Sequence, residues 1–95
     1  MESNHFFYVL ECRDGSYYAG YTNDLEKRVR VHNKGKGARY TRSRLPVKMI
    51  YYEQFCSKSD ALKAEYRFKQ FKRHEKEGYM QERREYHAAT EELPG

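Results

Sequence analysis

The sequence contains no tryptophan, only two cysteines and two prolines, and no apolar run of the ~18 residues that a membrane-spanning helix requires. Each scarcity excludes something. Without a long apolar run there is no expected membrane span, and Met1-Glu2-Ser3-Asn4 does not read as a signal peptide. Cys12 and Cys56 lie outside any CxxC or Cys/His ligand spacing, which argues against zinc. Both fall in expected strands, so two reduced thiols in a cytoplasmic protein are expected, with a disulfide between neighbouring strands left open. The apolar share is 38% against 35% charged, so 95 residues allow one domain with a modest core.

What the chain does have is tyrosine, phenylalanine and positive charge. Ten Tyr and five Phe imply a core built on rings, with buried hydroxyls that must find partners. Nineteen Lys and Arg against fourteen Asp and Glu give a formal charge of +5. The excess is concentrated: residues 27–48 hold Lys27, Arg28, Arg30, Lys34, Lys36, Arg39, Arg42, Arg44 and Lys48 with no acid among them. Such a run within a domain points to a polyanion, with nucleic acid ahead of a membrane surface.

Apolar and aromatic residues 5–12 read as a strand, Arg13-Asp14-Gly15 as a turn and residues 16–21 as the returning strand. A three-residue loop with Gly15 left-handed pairs Cys12 with Ser16, Tyr8 with Gly20 and Leu10 with Tyr18. Tyr8 and Tyr18 then share a face, and Gly20 leaves room beside Tyr8. Both rings could simply pack the core. Asn23 is expected to cap a helix, with Glu26 as its capping-box partner, ending near Asn33. A basic glycine-containing loop fills residues 34–45, and Pro46 opens a third strand to Phe55. A second long helix is expected from about Asp60 to His74, broken by Gly78.

The expected fold is α+β: a small, mainly antiparallel three-stranded sheet flanked by helices, in the order β-β-α-β-α, with both helices on one face. Residues 1–78 form the expected domain, and residues 79–95 a charged tail able to hold a short helix.

At ~100° per residue, Leu25 and Val29 define the apolar side of the first helix, and Arg28 and His32 fall beside them. Arg28 could snorkel outward and His32 could cap a carbonyl. The second helix carries the stripe Ala61, Ala64, Phe68 and Phe71, with Leu62 at its edge and Glu65 projecting between Ala61 and Leu62. A carboxylate there is costly to bury unless paired or bound to a cation. Pairing with Lys58 or Lys69 at the surface is the plainer alternative.

The ordered set Phe6-Phe7-Tyr8, Tyr18-Ala19-Gly20, Arg28, His32 and Glu65 resembles the GIY-YIG nuclease domain, over roughly residues 5–75. Supporting stretches are YAGYTNDLEKR (18–28), HNKGKGARYT (32–41) and LPVKMIYYEQF (45–55). The similarity is greatest to small stand-alone bacterial proteins of uncharacterised role. The resemblance implies a DNA endonuclease hydrolysing phosphodiester bonds with one divalent metal, Mg²⁺ or Mn²⁺, structure- rather than sequence-specific.

By the same resemblance, Tyr8 and Tyr18 are the motif tyrosines, one helping to activate water; Arg28 holds the scissile phosphate; His32 assists proton transfer; and Glu65 is the metal ligand. Lys34, Lys36, Arg39, Thr41, Arg42, Arg44 and Lys69 are expected to contact nucleic acid, and Gly15, Gly20 and Asn23 to shape the backbone. Three departures stand out: Phe6-Phe7 for Gly-Ile, Ala19 for Ile, and no asparagine after Asn33. The alternative is a module that binds DNA or RNA with weak or lost catalysis. A further alternative is a subunit whose protein partner supplies specificity.

Overall fold

A computed structural model describes residues 4–92, with side chains to residue 84. The elements are β1 (His5–Glu11), β2 (Tyr17–Thr22), α1 (Leu25–Asn33), α2 (Arg39–Arg42), β3 (Lys48–Phe55), α3 (Lys58–Lys69) and α4 (Arg73–Glu92). The sheet is antiparallel throughout, in the order β2-β1-β3.

The hairpin forms as the loop chemistry dictates. Gly15 is left-handed at φ 84, and its N–H donates to Cys12 O at 2.9 Å. Asp14 Oδ1 accepts from the Ser16 backbone N–H and from its hydroxyl. The register places Tyr8 opposite Gly20 and Leu10 opposite Tyr18. A β-carbon at Gly20 would lie 2.5 Å from Tyr8 Oη, so the tyrosine ring occupies the space that glycine leaves.

β1 is buried on both sides. Phe7 and Val9 pack with Ala19, Tyr51, Phe68 and Met80, beneath α3 and α4. Tyr8 and Leu10 pack with Cys12 and Val47, against Leu25 and Val29 of α1. The helices therefore lie on opposite faces, where both had been expected on one. A continuous apolar run, as in Phe6 to Leu10, is what a strand covered on both faces needs. Asn33 fastens α1 to the start of β3: its amide donates to Val47 O at 3.1 Å and its carbonyl accepts from Val47 N at 2.8 Å. Both cysteines are free thiols.

Two local expectations are corrected. Asp24, not Asn23, caps α1, accepting from Lys27 N at 3.1 Å. The preceding turn is held by the Thr22 hydroxyl, which accepts from Asp24 N, so Asn23 is left exposed and the helix starts one residue later. Nor does Gly78 break a helix. The break falls between Lys69 and Arg73, and α4 runs through Gly78 into the charged segment.

Apolar and hydrogen-bond anchors explain this. Met80 is in the core, and Tyr79 packs on Phe68 and Phe71. The Tyr51 and Tyr79 hydroxyls both donate to Glu53 Oε2, and Arg84 donates to Ile50 O at the β3 bulge. Arg73 reaches back to Gly15 O at 2.7 Å. The final residues of the expected tail, 93–95, lie outside the described residues.

Helix continuity has a measurable sign. A β-carbon at Gly78 would meet nothing within 4 Å. Glycine in a helix interior costs about 0.8–1.0 kcal/mol relative to alanine. Gly78→Ala should therefore raise Tm by about 4–8 °C. A fall in thermal melting would instead mark a left-handed helix end at this position.

Candidate active site

The inward helix face and the hairpin meet in one hydrogen-bonded chain. Arg28 Nε–H donates to Tyr8 Oη at 3.2 Å. Tyr8 Oη lies 2.9 Å from His32 Nε2, and His32 Nδ1 lies 2.8 Å from Thr41 Oγ1. Thr41 Oγ1 in turn donates to Ala38 O at 3.0 Å.

The terminal carbonyl sets the direction of every bond. It can only accept, so the threonine hydrogen is spent on it, and His32 Nδ1 must carry the ring hydrogen that Thr41 accepts. Neutral His32 Nε2 then accepts from the Tyr8 phenol. The tautomer follows from the network.

Burial and charge agree with this reading. His32 is 0% and Tyr8 1% exposed. Burial, and then the Arg28 charge, push His32 down from 6.5 to about 4. Burial raises the Tyr8 pKa; the Arg28 hydrogen bond and charge oppose the rise, while the Tyr18 and Glu65 charges add to it. At rest both groups are neutral, with one proton between them.

The other predicted residues arrive from three directions. Tyr18 packs edge-on to His32, centroids 5.4 Å apart, and stacks on Tyr40 at 6.1 Å. Arg44 lies over the Tyr40 ring at 3.9 Å and is held by Asp14 at 3.1 Å. From α3, Lys69 Nζ sits 5.8 Å from the Tyr18 ring centre and 2.8 Å from Glu65 Oε2. The Glu65 side chain is only 17% exposed. The structure thus brings Tyr8, Tyr18, Arg28, His32, Glu65 and Lys69 together.

The basic segment divides. Lys34, Lys36, Arg39 and Arg42 are exposed around the end of α1 and on α2. Arg44 is engaged by Tyr40 and Asp14. Thr41, expected at a nucleic-acid surface, is fully buried with its hydroxyl engaged by His32 and Ala38 O; its role is to hold His32. Gly37 was likewise missed: a β-carbon there would collide with His32 Nδ1 and Cγ, so glycine is what lets the loop close over the ring. Its presence two residues after Gly35 was the available signal.

Among the described residues no three His, Cys, Asp or Glu side chains cluster to hold an ion. One carboxylate, Glu65, is close enough for its charge to act on Tyr8. That donor set fits an ion that keeps most of its waters, as Mg²⁺ does, rather than a protein-caged one. Such an ion would have to displace the Lys69 ammonium.

The buried histidine makes stability pH-dependent. Between pH 6.5 and about 4 the unfolded chain binds a proton that folded His32 refuses. Its contribution is complete above 6.5 and drains away as pH falls toward 4. At pH 4.5 the loss should be about 2–3 kcal/mol, or about 10–20 °C in Tm. The melting drop from pH 7 to pH 4.5 should therefore be larger in wild type than in His32→Asn; equal drops would refute it.

Comparison with known proteins agrees with this geometry. The model of the GIY-YIG catalytic domain matches residues 4–80. A UPF0213 protein of Bacillus licheniformis is 61% identical over 85 residues, covering 88% of each chain. The UPF0213 protein YazA of Bacillus subtilis is 57% identical over 82 residues, covering 86% of this chain and 83% of its own. Two solution NMR structures are similar. UPF0213 protein BH0048 of Bacillus halodurans has TM-score 0.52 and 45% identity, over 79% of this chain and 80% of that one. Protein EF2693 of E. faecalis has TM-score 0.59 and 49% identity, over 84% and 85%. With 4–80 matched and the motif residues gathered at one site, the chain belongs to the GIY-YIG catalytic domain family.

Proposed function

We propose that this domain is a metal-dependent endonuclease that hydrolyses phosphodiester bonds in DNA and selects its substrate by structure. The observation that carries the reading is the chain Arg28–Tyr8–His32–Thr41, with the Glu65 charge beside it. Such a relay has a use where a proton must leave a nucleophile next to an anion.

Hydrolysis requires an oriented water, charge neutralisation and a place for the proton. Tyr8 takes a proton from the attacking water while passing its own to His32 Nε2. The new O–P bond forms as the P–O ester bond breaks, the departing alkoxide takes a proton from solvent water, and imidazolium keeps its Nδ1–H on Thr41. Arg28 spends Nε on Tyr8 and offers its terminal nitrogens to the phosphate, since guanidinium forks match phosphate oxygens. The pairing also removes part of what makes His32 a weak base, because the Arg28 charge is one cause of its low pKa. Substrate binding therefore readies the acceptor.

Glu65 would hold a divalent ion, Mg²⁺ or Mn²⁺, which supplies charge neutralisation and a more acidic bound water. Lys34, Lys36, Arg39 and Arg42 give phosphate contacts that position without reading sequence, so binding weakens with salt.

The Glu65–Lys69 pair favours one other reading, a nucleic-acid-binding module in which lysine has taken the cation's place. One assay separates the two. Plasmid, single-stranded and branched DNA are incubated with Mg²⁺, Mn²⁺ or EDTA. Cleavage that needs the ion and is lost in Arg28→Ala supports the nuclease. Binding that survives EDTA with no cleavage in any metal supports the module. Equal cleavage by wild type and Arg28→Ala marks a contaminant and leaves the nuclease reading refuted.

A further inference from the structure

The outer side of α3 bears a second surface that the relay does not use. An open groove of about 750 Å³ is lined by Lys58, Ser59, Leu62, Lys63, Tyr66, Arg67 and Gln70. Tyr66 is 69% and Leu62 42% exposed. The other exposed tyrosines have company: Tyr40 stacks on Tyr18 and has Arg44 over its ring, and Tyr52 meets Phe6 edge-on. No ring packs on Tyr66 among the described residues. The lining carries three cations and no acid. Lys63 and Arg67 pair with no carboxylate among the described residues.

Helix geometry joins this surface to the candidate site. Residues three and four apart are neighbours on a helix. Leu62 and Tyr66 form one i,i+4 row; Glu65 and Lys69 form the next, with Leu62 beside Glu65 and Tyr66 beside Lys69. A strand whose scissile phosphate lies between Arg28 and Glu65, and which continues across α3 past Lys69, meets Tyr66 within a nucleotide or so.

We infer that the Leu62–Tyr66 row, flanked by Lys63 and Arg67, binds an unpaired flank of the substrate strand, one base stacking on Tyr66 and its phosphates lying along the cations. The inference rests on the nuclease reading and names its substrate class: DNA with a single-stranded segment next to the cut. Charge selects a polyanion over an apolar peptide. The free ring selects unpaired bases over a duplex, whose bases are already stacked.

The test is fluorescence anisotropy of the full chain, in EDTA, with a labelled thymidine 20-mer and a duplex of the same length. Base–aromatic stacking predicts that Tyr66→Ala weakens single-strand binding about 10-fold and duplex binding less than about twofold, while Tyr66→Trp retains it. Lys63→Ala should reduce the salt slope on the single strand by about 0.7, one phosphate contact. Equal loss on both probes, or none on either, overturns the inference while leaving the nuclease standing. A wild-type protein that binds neither probe overturns the inference, and the ion-dependent cleavage assay then decides the nuclease reading separately. Sedimentation of wild type as a dimer and of Tyr66→Ala as a monomer would assign the groove to a second copy and overturn the inference likewise.

Discussion

Glu65→Gln should abolish ion-dependent cleavage, with single-turnover rates falling about 10³-fold or more, while the fold survives. The size follows from charge. A bound ion supplies several kcal/mol of transition-state stabilisation, and each 1.36 kcal/mol is tenfold in rate. Glutamine keeps the shape on α3 but cannot neutralise a cation. The site also makes a prediction of opposite sign. Lys69 sits 2.8 Å from the same carboxylate, so an incoming ion must first remove an ammonium. Lys69→Ala frees Glu65 and should tighten Mn²⁺ binding, measurable by calorimetry without any substrate. If Glu65→Gln keeps cleavage within tenfold of wild type, the carboxylate is not the ion's ligand. If Lys69→Ala leaves Mn²⁺ affinity unchanged, the ion pair does not gate the site.

What could be read from the sequence was whatever short-range geometry controls. A left-handed Gly15 fixes one register, and that register alone puts Tyr8 and Tyr18 on a common face, with Tyr8 opposite Gly20 and Tyr18 opposite Leu10. The helical repeat aims Arg28 and His32 at that face. Long-range packing hid the rest. Thr41 sits in a run of exposed cations, so its composition reads as surface; only the close approach of the α2 segment, allowed by Gly37, turns it inward onto His32. Gly78 is a helix breaker by propensity, yet Tyr79 and Met80 bury enough beside it to carry α4 through. The placement of helices on both faces was present in the unbroken apolar run of β1, whose two-sided burial a reading based on alternation overlooks.

Arg28→Ala should cost about 10³-fold in cleavage and Arg28→Lys nearly as much, because the guanidinium is held to two tasks at once. Preorganised donors aimed at developing charge are worth about 10²–10³ each, and arginines on transferring phosphoryl groups reach about 10³–10⁵. Arg28 also donates Nε to Tyr8 Oη, at 3.2 Å. A lysine ammonium is a point charge on a flexible stem, so it cannot hold the phenol and grip a phosphate bidentately from one rigid plane. A readout independent of turnover follows from the electrostatics. Burial is the larger cause of the low His32 pKa and the Arg28 charge the second. In Arg28→Ala the NMR titration of His32 should move up from about 4 without reaching 6.5, since burial remains. In Arg28→Lys it should move less, because a charge stays nearby. Coupling between cleavage and the His32 titration is what distinguishes an arginine within the relay from one that merely attracts DNA. Loss of cleavage with the titration unmoved would detach Arg28 from the Tyr8–His32 pair and leave it a phosphate contact alone.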